Sequence, residues 1–88
     1  MKKLLLIVLF FMVVLPLHAS QYPQHVQANF INGCMLGGGT RNYCVCTLNW
    51  IQRNMSLNNY LAMESRMSVG NTTDADIQFL RRAGNSCR

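Results

Sequence analysis

Residues 41–54 read RNYCVCTLNWIQRN, and this stretch decides the fold. Cys44, Leu48, Ile51 and Met55 recur at i, i+4, i+7 and i+11, the spacing of one helical face. Tyr43, Cys46 and Trp50 make a second apolar face on the same helix. A helix that is apolar on two faces is packed from both sides, so residues 41–54 are expected to form the central helix of a helical domain.

Working outward toward the N-terminus, Gly37-Gly38-Gly39 separates this helix from an earlier pattern, Val26, Phe30, Gly33 and Cys34, that falls on one helical face. Glycine tolerates the left-handed C-cap and weakens a helix interior, so the triplet reads as a helix stop and turn. A phosphate-binding loop would need a preceding strand and a following Gly-Lys-Ser/Thr, and neither is present. Ser20 to Gln24 is a polar lead containing Pro23, expected to fray.

In the other direction, Ser56 is placed to cap a third helix over about Leu57 to Ser68, with Leu57, Tyr60, Leu61, Glu64 and Met67 on one face. Val69-Gly70-Asn71-Thr72 reads as a turn. Thr73 with Asp76 then resembles a capping box with Asp in the Glu position. The fourth helix is expected over about Asp74 to Ala83, with Ile77, Leu80 and Gly84 inward and Gly84 ending it. Asp74 and Asp76 lie in its first turn, and Arg81 and Arg82 near its end, where the helix dipole favours each charge. No strand pattern or repeat appears. The expected fold is all-α, a small bundle of three to four short helices stapled by two disulfides.

The first nineteen residues are a different material. Lys2 and Lys3 precede an unbroken apolar run, Leu4 to Leu15, followed by Pro16 and the small residue Ala19. This is the layout of a secretory signal peptide cleaved after Ala19. The run is shorter than the about 20 residues that a spanning helix needs. Residues 1–19 are therefore expected to be removed, leaving residues 20–88 as one domain in the periplasm or outside the cell. The chain's formal charge of +5 falls to +3 on losing both lysines, which leaves six arginines against Glu64, Asp74 and Asp76.

All four cysteines, Cys34, Cys44, Cys46 and Cys87, lie in the remaining domain. A core this small needs staples, and export places the thiols where disulfides persist. Pairing Cys44 with Cys46 would distort a helix, because residues two apart point away from each other. Cys34–Cys44 with Cys46–Cys87 is favoured by a small margin over Cys34–Cys46 with Cys44–Cys87. The competing chemistry is copper(I) or redox work at the Cys-x-Cys pair, with Met55, Met63 or Met67 as soft ligands. Methionine at helical spacing is more often core filler, and Cys-x-Cys is not the redox motif. A zinc site would find only His25 to join the cysteines.

The pattern Phe30-x3-Cys34, Tyr43-Cys44-x-Cys46 and Cys87 resembles small exported bacterial proteins with a Tyr-Cys-x-Cys helix, a resemblance that implies no particular activity. The ten-residue step from Cys34 to Cys44 also matches the twin Cys-x9-Cys hairpins, but the second pair does not.

Catalytic constellations are missing from the sequence. His25 is the sole histidine after residue 19, the acids are scattered, and no nucleophile-elbow, zinc-protease or Walker pattern occurs. Glu64, beside an apolar stripe, invites a general-acid reading, but no partner for proton transfer accompanies it. Arg41, Arg53, Arg66, Arg81, Arg82 and Arg88 are dispersed without interleaved aromatics, unlike a nucleic-acid interface. Asn54 and Asn71 head glycosylation-type triplets that matter only in a eukaryotic host. The leading expectation is a non-enzymatic interaction protein with no cofactor: an inhibitor, an immunity-type protein or an envelope accessory factor. Two alternatives are a secreted membrane-active factor using its charge and exposed aromatics such as Tyr22 or Trp50, and a copper or redox factor.

Overall fold

The computed structural model describes residues 21–88; the expected signal peptide lies outside the described residues. Four helices follow one another: α1 (Gln24–Leu36), α2 (Arg41–Asn54), α3 (Leu57–Ser68) and α4 (Asp74–Asn85), with no strand among the described residues. The described residues are all-helical and joined by two disulfides, Cys34–Cys44 and Cys46–Cys87.

Helix α2 is central because one apolar face is buried and the other is partly covered. On one, Cys44, Leu48 and Ile51 are buried and meet Val26 of α1 and Tyr60 and Met63 of α3 in a single core. On the other, Trp50 packs against Phe79 of α4 with ring centroids 5.2 Å apart. Each fully buried aliphatic side chain here contributes about 1.5–3 kcal/mol relative to exposure. Helices α1 and α2 form an antiparallel hairpin, bridged at one end by Cys34–Cys44 and at the other by the Tyr22 amide, which donates to Gln52 Oε1 at 2.9 Å.

The turn between them needs its glycines for different reasons. Gly38 has φ of 102°, a conformation that side chains rarely adopt. Gly39 is packed against the first disulfide: an added Cβ would lie 2.8 Å from Cys44 Sγ and 3.0 Å from Cys34 Sγ. The Gly39→Ala variant should therefore lose about 1–3 kcal/mol of stability through overpacking. A urea titration checks this, and an unchanged midpoint would mean the disulfide yields freely.

Capping follows the residues that suit it. Thr40 caps α2, Ser56 caps α3, and Thr73 with Asp76 forms a complete capping box on α4. Asp76 does more than cap. Only 5 % exposed, it also takes two hydrogen bonds from Arg66, at 2.9 and 2.6 Å, tying the end of α3 to the start of α4. The Arg66 guanidinium, then the Thr73 donors, hold the Asp76 carboxyl well below the usual carboxylate range against the opposing effect of desolvation. An unfolded Asp titrates near ~3.9, so the pair's contribution is complete above about pH 4 and is lost as pH falls below that. Arg66→Gln should be less stable near neutrality and show a shallower loss of stability in acid, read from urea midpoints across pH.

Three sequence expectations need correction. The lead is not frayed at Tyr22, which is 4 % exposed, stacks at 5.1 Å on Tyr60, and donates its hydroxyl to the Met55 carbonyl at 2.7 Å. It is therefore no exposed membrane anchor, and Trp50 is half-buried. Gly84 does not end α4, which runs to Asn85. Its missing side chain admits Tyr43, whose Oη lies 2.5 Å from where a Cβ would sit. The inward faces of α3 and α4 are also turned from those expected. Met63 is buried while Leu61 and Met67 are exposed, and Asp76 and Ala83 are buried while Ile77 is exposed. The Arg66–Asp76 pair explains the second case: drawing Asp76 inward brings Phe79, Leu80 and Ala83 with it on the helical repeat.

Candidate functional site

With α2 filling the centre, α1, α3 and α4 leave an apolar groove between them. It has a volume of about 250 Å3, and its lining includes Phe30 and Gly33 of α1, Tyr60, Met63 and Met67 of α3, and Leu80 of α4. The surface is mostly carbon, and methionine makes it adaptable, since an unbranched thioether fits irregular shapes. Glu64 lines the same groove and is its one charged residue.

The Tyr60 hydroxyl donates to Glu64 Oε2 at 3.0 Å. Burial, and next the adjacent Glu64 carboxylate, push the Tyr60 phenol well above its usual pKa, so it stays a donor at physiological pH. Glu64 is exposed and has acceptor capacity left for a cation or an amide. The hydrogen-bonding partner that the contacts give it is the Tyr60 phenol, which does not ionise at neutral pH.

Gly33 is the unusual member of the lining. It is inside α1, where glycine is less favourable than alanine by roughly 0.5–1 kcal/mol. An added Cβ would meet nothing within 4 Å, so no described neighbour requires glycine there. Gly39 and Gly84, by contrast, are each crowded by a named side chain.

The remaining candidates do not converge. All four cysteines are in disulfides, so the Cys-x-Cys pair presents no thiolate. Met63 is in the core, Met55 is half-buried and Met67 is exposed on the groove, so these sulfurs do not surround Cys44 or Cys46 as expected ligands would. His25 is exposed in the first turn of α1. Among the described residues, no group of three or more His, Cys, Asp or Glu is placed to hold a metal. Asn54 and Asn71 are both exposed.

The groove was only partly readable beforehand. Phe30, Gly33, Cys34, Tyr60, Glu64, Met67 and Leu80 lie on the faces that the spacing marks as inward, but Met63 does not, because it is six residues from Leu57 and falls outside the i, i+4, i+7 stripe.

The fold and groove together define a small, disulfide-stapled helical domain with a single-carboxylate apolar recess. The chain matches no model of a known protein family, no curated protein and no solved structure. Its two disulfides are compatible with a periplasmic or extracellular place, and among the described residues no helix is long and apolar enough to cross a membrane.

Proposed function

We propose that this is an exported, non-enzymatic interaction protein whose groove receives an apolar segment of a partner protein. The observation that carries the reading is Gly33: a helix-interior glycine, unexplained by internal packing, lining an apolar groove. A glycine at such a point lets a second backbone or a bulky side chain approach closely. The partner segment is expected to carry a basic residue, because Glu64 is the groove's single charge.

Export to the periplasm or beyond is supported by the leader-like residues 1–19 together with the two disulfides. A binding role is favoured over catalysis because the titratable groups among the described residues do not converge on one place. Asp76 pairs with Arg66, Glu64 accepts from Tyr60, and the cysteines are oxidised.

Gly33→Leu tests the proposal. It fills the groove where there is open space and removes a helix-weakening glycine, so the variant should fold at least as stably as the natural protein. Affinity capture from envelope extracts should return one stoichiometric partner with the natural protein and none with Gly33→Leu. Glu64→Gln should weaken capture by about tenfold through the lost charge-assisted bond. Undiminished capture by a folded Gly33→Leu would remove the groove from the account, and repeated failure of the natural protein to capture any partner would remove the binding role.

A further inference from the structure

Both disulfides lie toward the same end of the bundle, and that end has a composition of its own. Cys34–Cys44 closes the α1–α2 hairpin directly behind Met35 and Leu36, while Cys46–Cys87 fastens the tail to α2 with Cα atoms 5.9 Å apart. Tyr43 passes over Gly84, so the end of α4 is held against the beginning of α2. The segments gathered there, residues 34–46 and 81–88, contain four of the six arginines of residues 20–88 and no Asp or Glu. These four, Arg41, Arg81, Arg82 and Arg88, are all exposed.

The other charges are on other segments of the chain. Asp74 and Asp76 begin α4, at the far end of that helix, and Asp76 is paired with Arg66. Glu64 faces the groove across from Gly33 and Cys34 and accepts from Tyr60. At the hairpin tip, Leu36 is 89 % exposed and Met35 41 %, with the glycine turn following and no element covering them.

An apolar tip on segments that carry four arginines and no carboxylate is complementary to an anionic lipid–water interface. The tip enters among the acyl chains near the headgroups, and guanidinium groups meet phosphates bidentately. A nucleic acid would gain little from Leu36 and Met35, since this end offers no exposed aromatic for base stacking. A protein groove-binder would need a larger continuous surface than a hairpin tip. The disulfides keep the tip and its arginines in fixed relation, which lowers the ordering cost of docking.

We propose that this end of the protein docks on anionic phospholipid, with Met35 and Leu36 inserting and Arg41, Arg81, Arg82 and Arg88 contacting headgroup phosphates. Met35 and Leu36 do not line the groove, so the protein would present its groove from a membrane surface.

Sedimentation of the exported protein with vesicles tests this. Binding should occur with phosphatidylglycerol-containing vesicles, be negligible with pure phosphatidylcholine, and fall in high salt. Leu36→Asn should weaken it about tenfold or more, and the Arg81→Gln/Arg82→Gln pair should weaken it by a similar factor. Leu61→Asn, on α3, should leave it unchanged. Leu36 is so exposed that its replacement should not alter the thermal midpoint, which separates lost docking from lost folding. Absence of binding to the anionic vesicles overturns the proposal. So does unchanged binding by Leu36→Asn, which would indicate charge attraction alone, or equal affinity for single-stranded DNA. The Gly33→Leu variant should bind vesicles normally, so the groove and the membrane contact stand or fall separately.

Discussion

Replacing Cys46 and Cys87 together by alanine should cost about 4 kcal/mol of stability, and replacing Cys34 and Cys44 about 3 kcal/mol. The order follows from chain entropy in the unfolded state. Cys46–Cys87 spans a sequence separation of 41 residues and Cys34–Cys44 one of 10, so the former removes more freedom from the unfolded ensemble. A domain of this length carries roughly 3–10 kcal/mol in all, so either loss is a large share of it. Local packing narrows the gap from the other side: Cys44 is fully buried against the core, while Cys46 is exposed. Alanine at position 44 leaves a small cavity that alanine at position 46 does not. Urea titrations of the two double variants, each keeping the other disulfide, decide which effect wins. If the Cys34/Cys44 variant proves the weaker by more than about 1 kcal/mol, burial outweighs chain entropy here. The same numbers bear on location. A domain this dependent on cross-links would be largely unfolded in a compartment that keeps thiols reduced.

The features legible in the sequence are those with a local cause. The Cys44–Leu48–Ile51 face of α2, the Ser56 cap and the Thr73–Asp76 box each depend on residues within a few positions of one another, and all stand in the structure where the spacing put them. The pairing of cysteines could be narrowed because helical geometry forbids Cys44–Cys46. What could not be read is which of two adequate stripes turns inward. On α3 the choice fell on Met63 over Leu61 and Met67, and on α4 it followed Asp76. In the second case a long-range ion pair decided, joining positions ten apart. Gly84 shows the same limit. Near the end of an apolar pattern it has the signature of a helix stop, yet its cause is Tyr43, forty-one residues earlier in the chain. The groove inherits this uncertainty, because its walls are the faces that long-range packing selects.

Tyr22 is where that limit was greatest, and it has the largest expected single-residue effect. A short polar lead beside Pro23 has no periodicity of its own, so nothing local marks it as structured. The residue is held by contacts thirty or more positions away: its amide to Gln52 Oε1, its hydroxyl to the Met55 carbonyl, and its ring to Tyr60. Gln52 explains itself in this light. A buried glutamine on the central helix would be costly without a partner, and the Tyr22 N–H supplies one. Tyr22→Ala should therefore cost about 3–5 kcal/mol, the range for a buried aromatic truncated to alanine. Tyr22→Phe keeps the ring and loses one hydrogen bond, so it should cost about 1 kcal/mol. The two together separate ring burial from hydroxyl bonding. Because Tyr60 lies between Tyr22 and Glu64, loss of the Tyr22 ring should also loosen the groove wall. Tyr22→Ala should consequently reduce partner capture in step with stability, whereas Tyr22→Phe should leave capture intact. Urea titration followed by Trp50 fluorescence measures both variants. A Tyr22→Ala cost below about 1 kcal/mol would mean that the lead is not docked on α2 in solution, and the core would then begin at Val26.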